Sequence, residues 1–210
     1  MQEALRQYVP DPLVGLLASG RQVEGQEREV SILFVDLRNF TAYSEKRGSG
    51  IVFSVVNVYT EAVSKVIREH GGTVVEFLGD GMMAVFGAPE TTADHPRAAV
   101  QCGREIVSVV RGLKLGDPGT EPIEVSVGIT TGDAFVGNVR AADRLIYTAI
   151  GDIANLASRL EGLTRQLNAA IAIDAATRSG AGDAAAPFVR HGPTLVRGRE
   201  QAVDVYFLPL

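Results

Sequence analysis

The sequence predicts an α+β fold, in which helices pack on a mixed, largely antiparallel sheet. Short apolar runs of strand length alternate with two longer stretches in which apolar residues recur at helical spacing. The pair Asp80-Gly81 separates two of the short runs, which is typical of a β-hairpin. A hairpin argues against a doubly wound parallel sheet, in which a helix connects consecutive strands.

The first elements follow from apolar runs and from one helical period. The run at Val30–Val35 is predicted to be a buried strand. Apolar residues at positions 52, 55, 59, 62 and 66 predict a helix over Ile51–Ile67, which Gly71-Gly72 ends. Two strands, Thr73–Phe77 and Met82–Phe86, are predicted on either side of the turn at residues 78–81.

The second half begins with a helix at His95-Pro96, because proline is favoured in the first helical turn. Apolar residues follow at 99, 102, 106, 109 and 113, so Cys102 is expected to be a small core residue. A turn is predicted at 116–119. The remaining predicted elements are strands at 123–129, 134–139, 145–150 and 170–173, helices at 151–163 and 174–179, and strands within 187–210.

Composition limits the classes of function. The chain has 210 residues, with 20 Lys and Arg against 25 Asp and Glu, and a formal net charge of -5. An acidic chain with no basic tract is poorly suited to the nucleic-acid backbone, so no nucleic-acid partner is expected. A single cysteine forms neither an internal disulfide nor a cysteine zinc cluster.

The domain organisation follows from a change in pattern near residue 28. Residues 1–27 are expected to be an N-terminal lead-in or linker, and residues 28–210 one globular domain. The short apolar cluster Leu13–Leu17 indicates a connection to an upstream part of a longer protein, and a native terminus is an equally good interpretation. No signal peptide and no apolar run of roughly 20 residues is seen. We therefore expect a cytoplasmic protein, or the cytoplasmic part of a larger, membrane-tethered one.

Two aspartates are the first candidates for chemistry. Asp36 follows the first predicted strand, and Asp80 lies in the predicted hairpin turn. Each alone is more often a cap or turn residue. If the first strand lies beside the hairpin, however, the two carboxylates meet and could hold Mg²⁺, which binds a few carboxylates together with substrate phosphate oxygens.

Three segments around these aspartates resemble a known family. Residues 34–41 (FVDLRNFT), 76–87 (EFLGDGMMAVFG) and 147–160 (YTAIGDIANLASRL) are similar, in order and spacing, to the signature blocks of class III nucleotidyl cyclase catalytic domains. The resemblance covers about Glu29 to Leu208. It implies a ferredoxin-like sheet with flanking helices, and the conversion of a nucleoside triphosphate to a 3′,5′-cyclic monophosphate and pyrophosphate.

The resemblance also implies roles for individual residues. Two Mg²⁺ or Mn²⁺ ions would be held by Asp36, Asp80 and the backbone of Leu37. The stretch Leu37–Thr41 is expected to open a helix, whose backbone N–H groups can hold phosphates. The positions assigned to phosphate binding are Asn39, Phe40, Thr41 and Arg197.

Asn155 and Arg159 match the family's transition-state pair. They are four residues apart and share a helix face, which spacing alone would assign to solvent. In the family pattern they contact the ribose and the α-phosphate, where an arginine offsets developing negative charge. They face the metal aspartates across a dimer interface, so a homodimer is implied. The family habit of placing regulators upstream further implies an upstream regulatory domain in the full-length protein.

The base-reading positions match Glu76 and Thr148. A carboxylate accepts hydrogen bonds from guanine N1 and N2, whereas adenine N1 needs a donor. Glu76 therefore favours GTP, while Thr148 is more typical of adenylate-type members. Adenylate cyclase activity and a relaxed or pyrimidine specificity stay as alternatives. A catalytically inactive, cyclase-like sensor or docking domain is the alternative from another class, and a diguanylate cyclase is disfavoured because its Gly-Gly-Asp/Glu-Glu-Phe signature is absent.

Overall fold

The computed structural model describes residues 13–14, 25–113, 115, 123–141, 144–197 and 199–210. The strands are β1 (Gln26–Leu37), β2 (Thr73–Leu78), β3 (Gly81–Phe86), β4 (Val125–Ala141), β5 (Arg144–Ile150), β6 (Ala169–Asp174), β7 (Val189–Thr194) and β8 (Val203–Pro209). The helices are α1 (Phe40–Ser44), α2 (Ser49–Glu69), α3 (His95–Gly112), α4 (Asp152–Gln166) and α5 (Ala175–Ala181), followed by a 3-10 turn at Gly182–Ala185.

The eight strands form one sheet in the order β2-β3-β1-β4-β6-β8-β7, and β5 pairs with β4 outside this path. Only the β4–β6 pair is parallel among the described strand pairs, because α4 connects the β4–β5 hairpin back to the same sheet. The predicted mixed, largely antiparallel sheet with flanking helices is therefore confirmed.

Strand β1 divides the core between the two faces of the sheet. Leu33, Val35 and Leu37 are buried with α2 and α3 on one face. Val30 and Ile32 alternate with them and belong to a second cluster, which includes Ala157 of α4, on the opposite face. The central strand thus places α4 on the face away from the two long helices.

Helix α4 lies unusually close to the sheet because of Gly128. A Cβ atom at this position of β4 would lie 2.1 Å from the Ala157 carbonyl oxygen, a distance at which no side chain fits. Leu156 and Leu160 of α4 are buried in a third cluster with Ala172 of β6. These buried leucines form the apolar face by which α4 packs on the sheet.

Several predicted boundaries needed correction. The predicted strands 123–129 and 134–139 are one continuous strand, β4, because the intervening Thr130–Asp133 still pairs with β1. The hairpin is confirmed, but its two turn residues are Gly79 and Asp80, since Leu78 pairs directly with Gly81. Helix α1 begins at Phe40 and not at Leu37, which is the last residue of β1. The predicted turn at 116–119 lies outside the described residues.

Helix α2 departs from the sequence expectation in one further respect. By length and mean hydropathy (1.3) it is a helix that could cross a membrane, the one such helix within the described ranges. Its C-terminal half, with Tyr59, Val63 and Ile67, is buried against the sheet. Its N-terminal half exposes Ile51 and Phe53.

Cys102 of α3 is buried in the same core, as expected.

Candidate active site

Antiparallel pairing of β1 with β3 brings Asp36 and Asp80 together. Val35 pairs with Met82, so the end of β1 lies beside the β2–β3 turn. The side chains of Asp36 and Asp80 are within hydrogen-bonding reach of each other. The first strand therefore does lie beside the hairpin, which was the condition for the two carboxylates to meet.

The surroundings of this pair favour a bound cation. Burial, together with the hydrogen bond and the negative charge of Asp36, raises the pKa of Asp80 to about 6. The Leu37 N–H donates to Asp36 Oδ1 at 3.0 Å, which orients the first carboxylate. Gly81 leaves the space beside this carboxylate open, since a Cβ at that position would be in van der Waals contact with Asp36 Oδ1, at 3.5 Å. Two facing carboxylates repel one another until a cation lies between them.

Two buried hydroxyls near the pair have no hydrogen-bond partner. These are the Tyr59 and Ser126 hydroxyls, which make no hydrogen bond within the described part of the chain. Ser126 is the β4 partner of Asp36. Burial, and then the charges of Asp36 and Asp80, raise the pKa of Tyr59 well above its usual value. Such unpaired groups mark a site that a further ligand would complete.

The chemistry of these donors fits magnesium or manganese. No group of three or more His, Cys, Asp or Glu that could hold a metal occurs among the described residues. Mg²⁺ binds through one or two carboxylates plus water and substrate phosphates, so two aspartates are a sufficient protein contribution. The residues present therefore fit this cation, provided that a phosphate substrate supplies the remaining ligands.

The segment after Asp36 is held by backbone contacts. The Arg38 N–H donates to the Glu124 carbonyl at 2.8 Å, and Arg38 Nε donates to the Val125 carbonyl at 3.2 Å. Its guanidinium also donates to the Ala169 carbonyl. Arg38 thus anchors the segment to β4 and β6, and its guanidinium is engaged with those carbonyls.

The residues predicted to hold phosphates follow directly. Asn39 has a φ of 56° and leads into α1 without capping it through its side chain. Asn39 and Thr41 are exposed, and Phe40 is half-buried. Because this left-handed turn follows Asp36 by three residues, it lies next to the carboxylate pair.

Asn155 and Arg159 lie on α4 but do not join the aspartates of the same chain. Asn155 is exposed and Arg159 is half-buried. Neither side chain makes a hydrogen bond or ion pair with another residue that the structure describes. A single chain therefore does not bring the predicted transition-state pair into contact with the predicted metal pair.

The predicted base-reading residues lie on strands that approach each other. Glu76 is exposed on β2, and Thr148 is half-buried on β5. Their neighbours Val75 and Tyr147 pack in one apolar cluster. No contact between the Glu76 and Thr148 side chains is present in the described chain.

Arg197 is exposed in the segment between β7 and β8. Two residues later, Arg199 forms an ion pair with Asp152 at the start of α4. An open cavity of about 360 Å³ lies beside this pair and is lined mainly by residues 199–203. The structure thus places Arg197 near the N-terminus of α4 and away from direct contact with Asp36.

Sequence reasoning missed two charged residues at the carboxylate pair. Arg165 Nη2 lies 3.4 Å from Asp36 Oδ2, and Arg165 Nη1 lies 3.3 Å from Glu161 Oε1. Glu161 is 8% exposed. Their spacing of four residues on α4 is a signal of a helical ion pair. What the sequence does not reveal is that α4 crosses the sheet so that Arg165 reaches Asp36.

Comparisons with known proteins match nearly the whole chain. The family model of the adenylate and guanylate cyclase catalytic domain matches residues 23–209. Adenylate cyclase 1 of Rhizobium meliloti is 31% identical over 204 residues, which is 95% of this chain and 30% of that protein. The chain therefore spans less than a third of the length of this curated relative.

Two solved structures have the same fold. A bacterial light-regulated adenylyl cyclase superposes with a TM-score of 0.85 at 30% identity, over 98% of this chain and 60% of that one. The guanylyl cyclase Cya2 superposes with a TM-score of 0.77 at 33% identity, over 87% of this chain and 92% of that one. Proteins of both base specificities are thus similar to this chain at nearly equal identity.

Proposed function

Because this chain belongs to the adenylate and guanylate cyclase catalytic domain family, we propose that it cyclises a purine nucleoside triphosphate, with GTP favoured over ATP. The ribose 3′-oxygen bonds to the α-phosphorus, the bond from that phosphorus to the β-phosphate oxygen breaks, and pyrophosphate leaves. The observation that carries the proposal is the meeting of Asp36 and Asp80 at the end of β1.

Asp36, Asp80 and the backbone of Leu37 are proposed to hold two Mg²⁺ or Mn²⁺ ions. Bound there, these cations would favour ionisation of the 3′-hydroxyl and offset the charge of the triphosphate. The chain's own contribution is to orient the carboxylates, through the Leu37 N–H bond to Asp36 Oδ1. The exposed turn at Asn39–Thr41 is proposed to bind the phosphates, and Arg197 their terminal end.

The remaining catalytic groups are proposed to come from a second copy of the chain. Arg159 would donate to the α-phosphate oxygens as negative charge grows on them, and Asn155 would orient the ribose. This assignment is supported by their lack of contact with Asp36 within one chain. A C2 dimer would give two equivalent composite sites.

An exposed apolar surface supports this dimer. Seven large apolar side chains on β2, β4 and β5 are 40% exposed or more: Phe77, Leu78, Phe135, Val139, Leu145, Ile146 and Ile150. Contiguous exposed apolar residues mark association surfaces in soluble proteins. Sedimentation velocity over a concentration series should show a monomer–dimer equilibrium, and specific activity should fall as dimer dissociates. Full specific activity in the monomer would contradict the composite site.

Base preference is proposed to rest on Glu76. Its carboxylate would accept hydrogen bonds from guanine N1 and N2, and Thr148 would contact O6. The exposure of Glu76 in one chain agrees with a base pocket that is completed by substrate and partner. A buried carboxylate that faces adenine N1 would leave two acceptors opposed, which disfavours ATP.

The lead-in is proposed to transmit regulation to this site. Leu13 and Val14 are each 4% exposed, and Leu13 packs in the cluster that contains Met83 of β3 and Tyr147 of β5. Those strands carry or adjoin the proposed site. Replacing Leu13 by Ser should speed hydrogen exchange in β3 and β5, and unchanged exchange would contradict the coupling.

Product analysis tests the proposed activity. The protein is incubated with ATP, GTP, CTP and UTP separately, each with Mg²⁺ and with Mn²⁺, and products are separated by chromatography. We expect 3′,5′-cyclic GMP above cyclic AMP, with one pyrophosphate per cyclic nucleotide. Cyclic products from CTP or UTP at equal rates would show relaxed specificity, and no product with any nucleotide would favour an inactive, cyclase-like domain.

A further inference from the structure

Helix α4 carries a charged pair, Glu161 and Arg165, about a third of a turn around the helix from Asn155 and Arg159. Arg165 lies between two carboxylates of its own chain, 3.4 Å from Asp36 Oδ2 and 3.3 Å from Glu161 Oε1. Arg165 is therefore a bridge between α4 and the end of β1. No role in the chemistry described above requires it.

Glu161 fixes the position of this bridge. Its side chain is 11% exposed, and its Oε1 atom forms the 3.3 Å ion pair with Arg165 Nη1. Burial raises the pKa of Glu161 to about 7. The positive charge of Arg165 is the largest of the effects that oppose this shift and favour the ionised carboxylate. A buried carboxylate needs a charged partner, so Glu161 restrains the Arg165 guanidinium at the place where it also meets Asp36.

A guanidinium and a divalent cation compete for the same carboxylate oxygen, because each is attracted to its negative charge. Arg165 Nη2 contacts Asp36 on Oδ2, whereas the Leu37 N–H contacts Oδ1, so both oxygens of Asp36 already have a donor. A cation that binds Asp36 must displace Arg165 or share its oxygen with it. Either outcome weakens cation binding, because like charges repel at this distance.

We propose that Arg165, positioned by Glu161, is an internal counter-ion of Asp36 that competes with the divalent cation for this carboxylate. The inference rests on the metal site of the proposed function. It makes Arg165 a positioning residue that sets the concentration of free cation at which the site fills. The half of α4 that contacts the chain's own Asp36 would thereby respond to cation binding.

Opposite effects are expected from the two residues. Removing the positive charge in Arg165→Gln should tighten cation binding. Removing the negative charge in Glu161→Gln should weaken it, because Arg165 then has only Asp36 as an anionic partner. A change of about three- to tenfold in each direction corresponds to the strength of a partly exposed ion pair acting on a divalent charge.

The test is the dissociation constant of Mn²⁺ for the nucleotide-free full chain, from the electron paramagnetic resonance signal of free Mn²⁺. Arg165→Gln should lower this constant and Glu161→Gln should raise it, while Arg165→Lys should keep it near the wild-type value. Arg190→Gln is the matched control, since Arg190 also pairs with an aspartate, Asp204, at 2.8 Å, on the far edge of the sheet. In the double variant, Glu161→Gln should have less effect than it has alone, because its partner is gone.

The outcomes distinguish failure of the proposed competition from failure of the proposed metal site. If Asp36→Asn abolishes Mn²⁺ binding but Arg165→Gln binds Mn²⁺ no more tightly than the wild type, the competition is refuted and the metal site stands. If Asp36→Asn leaves Mn²⁺ binding unchanged, the metal site of the proposed function is wrong and the competition falls with it. The Arg165 side chain is 42% exposed, so Arg165→Gln is expected to fold. The Mn²⁺ dissociation constant of Arg165→Gln therefore still tests the competition if Glu161→Gln fails to fold.

Discussion

Replacing Asp80 by Asn should stabilise the metal-free protein at neutral and alkaline pH, although it removes a proposed metal ligand. Burial, and then the neighbouring Asp36 carboxyl, raise the pKa of Asp80 from 3.8 to about 6. The ionised carboxylate is therefore less favourable in the folded chain than in the unfolded chain. Asparagine is nearly isosteric and never ionises, so the variant avoids this cost.

The size and sign of the effect follow from that pKa. Asp80 contributes full stability below about pH 4, and the contribution is lost as pH rises toward and through about 6. A shift of about two units sets a ceiling near 3 kcal/mol. Solvent screens a half-buried carboxylate, so we expect a gain of about 1–2 kcal/mol above pH 7. About half of this gain should remain at pH 5, and little at pH 4.

Urea unfolding followed by circular dichroism, in EDTA and at pH steps from 4 to 8, measures the difference in free energy of unfolding. Asp133→Asn, at an exposed position of β4, is the matched control and should show no such pH-dependent gain. With Mn²⁺ in excess the order should reverse, because the wild type gains binding energy that the variant lacks. A gain that is independent of pH, or a loss of stability at pH 8, would refute the account of the carboxylate pair.

Three further predictions concern specificity, assembly and packing. Glu76→Lys should raise the ATP-to-GTP ratio of kcat/KM at least about tenfold, and an unchanged ratio would show that Glu76 does not read the base. Mixing inactive Asp36→Asn and Arg159→Ala chains should restore about a quarter of wild-type activity, because half of the dimers contain one intact site; no recovery after subunit exchange would contradict the composite site. Gly128→Ala should cost about 1–3 kcal/mol in urea unfolding, since its methyl group would meet the Ala157 carbonyl at 2.1 Å, and a cost below about 0.5 kcal/mol would show that α4 is not fixed by this contact.

Local patterns predicted most of the fold. The hairpin turn at Gly79-Asp80 and the helical period of α2 depend on residues that are close together in the sequence. Such local patterns can therefore be recognised in a single sequence. The prediction failed where tertiary pairing decides the outcome. Thr130–Asp133 looks like a break between two strands, but pairing with β1 keeps it extended as part of β4.

The site shows the same division. Asp36 and Asp80 could be predicted because each lies within a segment that resembles a family signature block, although each aspartate alone is typical of a cap or turn. Glu161 and Arg165 could not, because the contact of Arg165 with Asp36 depends on how closely α4 approaches the sheet. That approach depends on Gly128, whose missing side chain gives no signal in a pattern of apolar residues.

Turnover of GTP with Mn²⁺ by the wild type, Asp36→Asn and Asp133→Asn tests the central claim most directly. The measured quantities are 3′,5′-cyclic GMP and pyrophosphate in the same reaction. The account predicts equal amounts of both from the wild type and from Asp133→Asn, and neither from Asp36→Asn. Cyclic nucleotide formed by Asp36→Asn at the wild-type rate would contradict the claim that the Asp36–Asp80 pair is the centre of cyclisation.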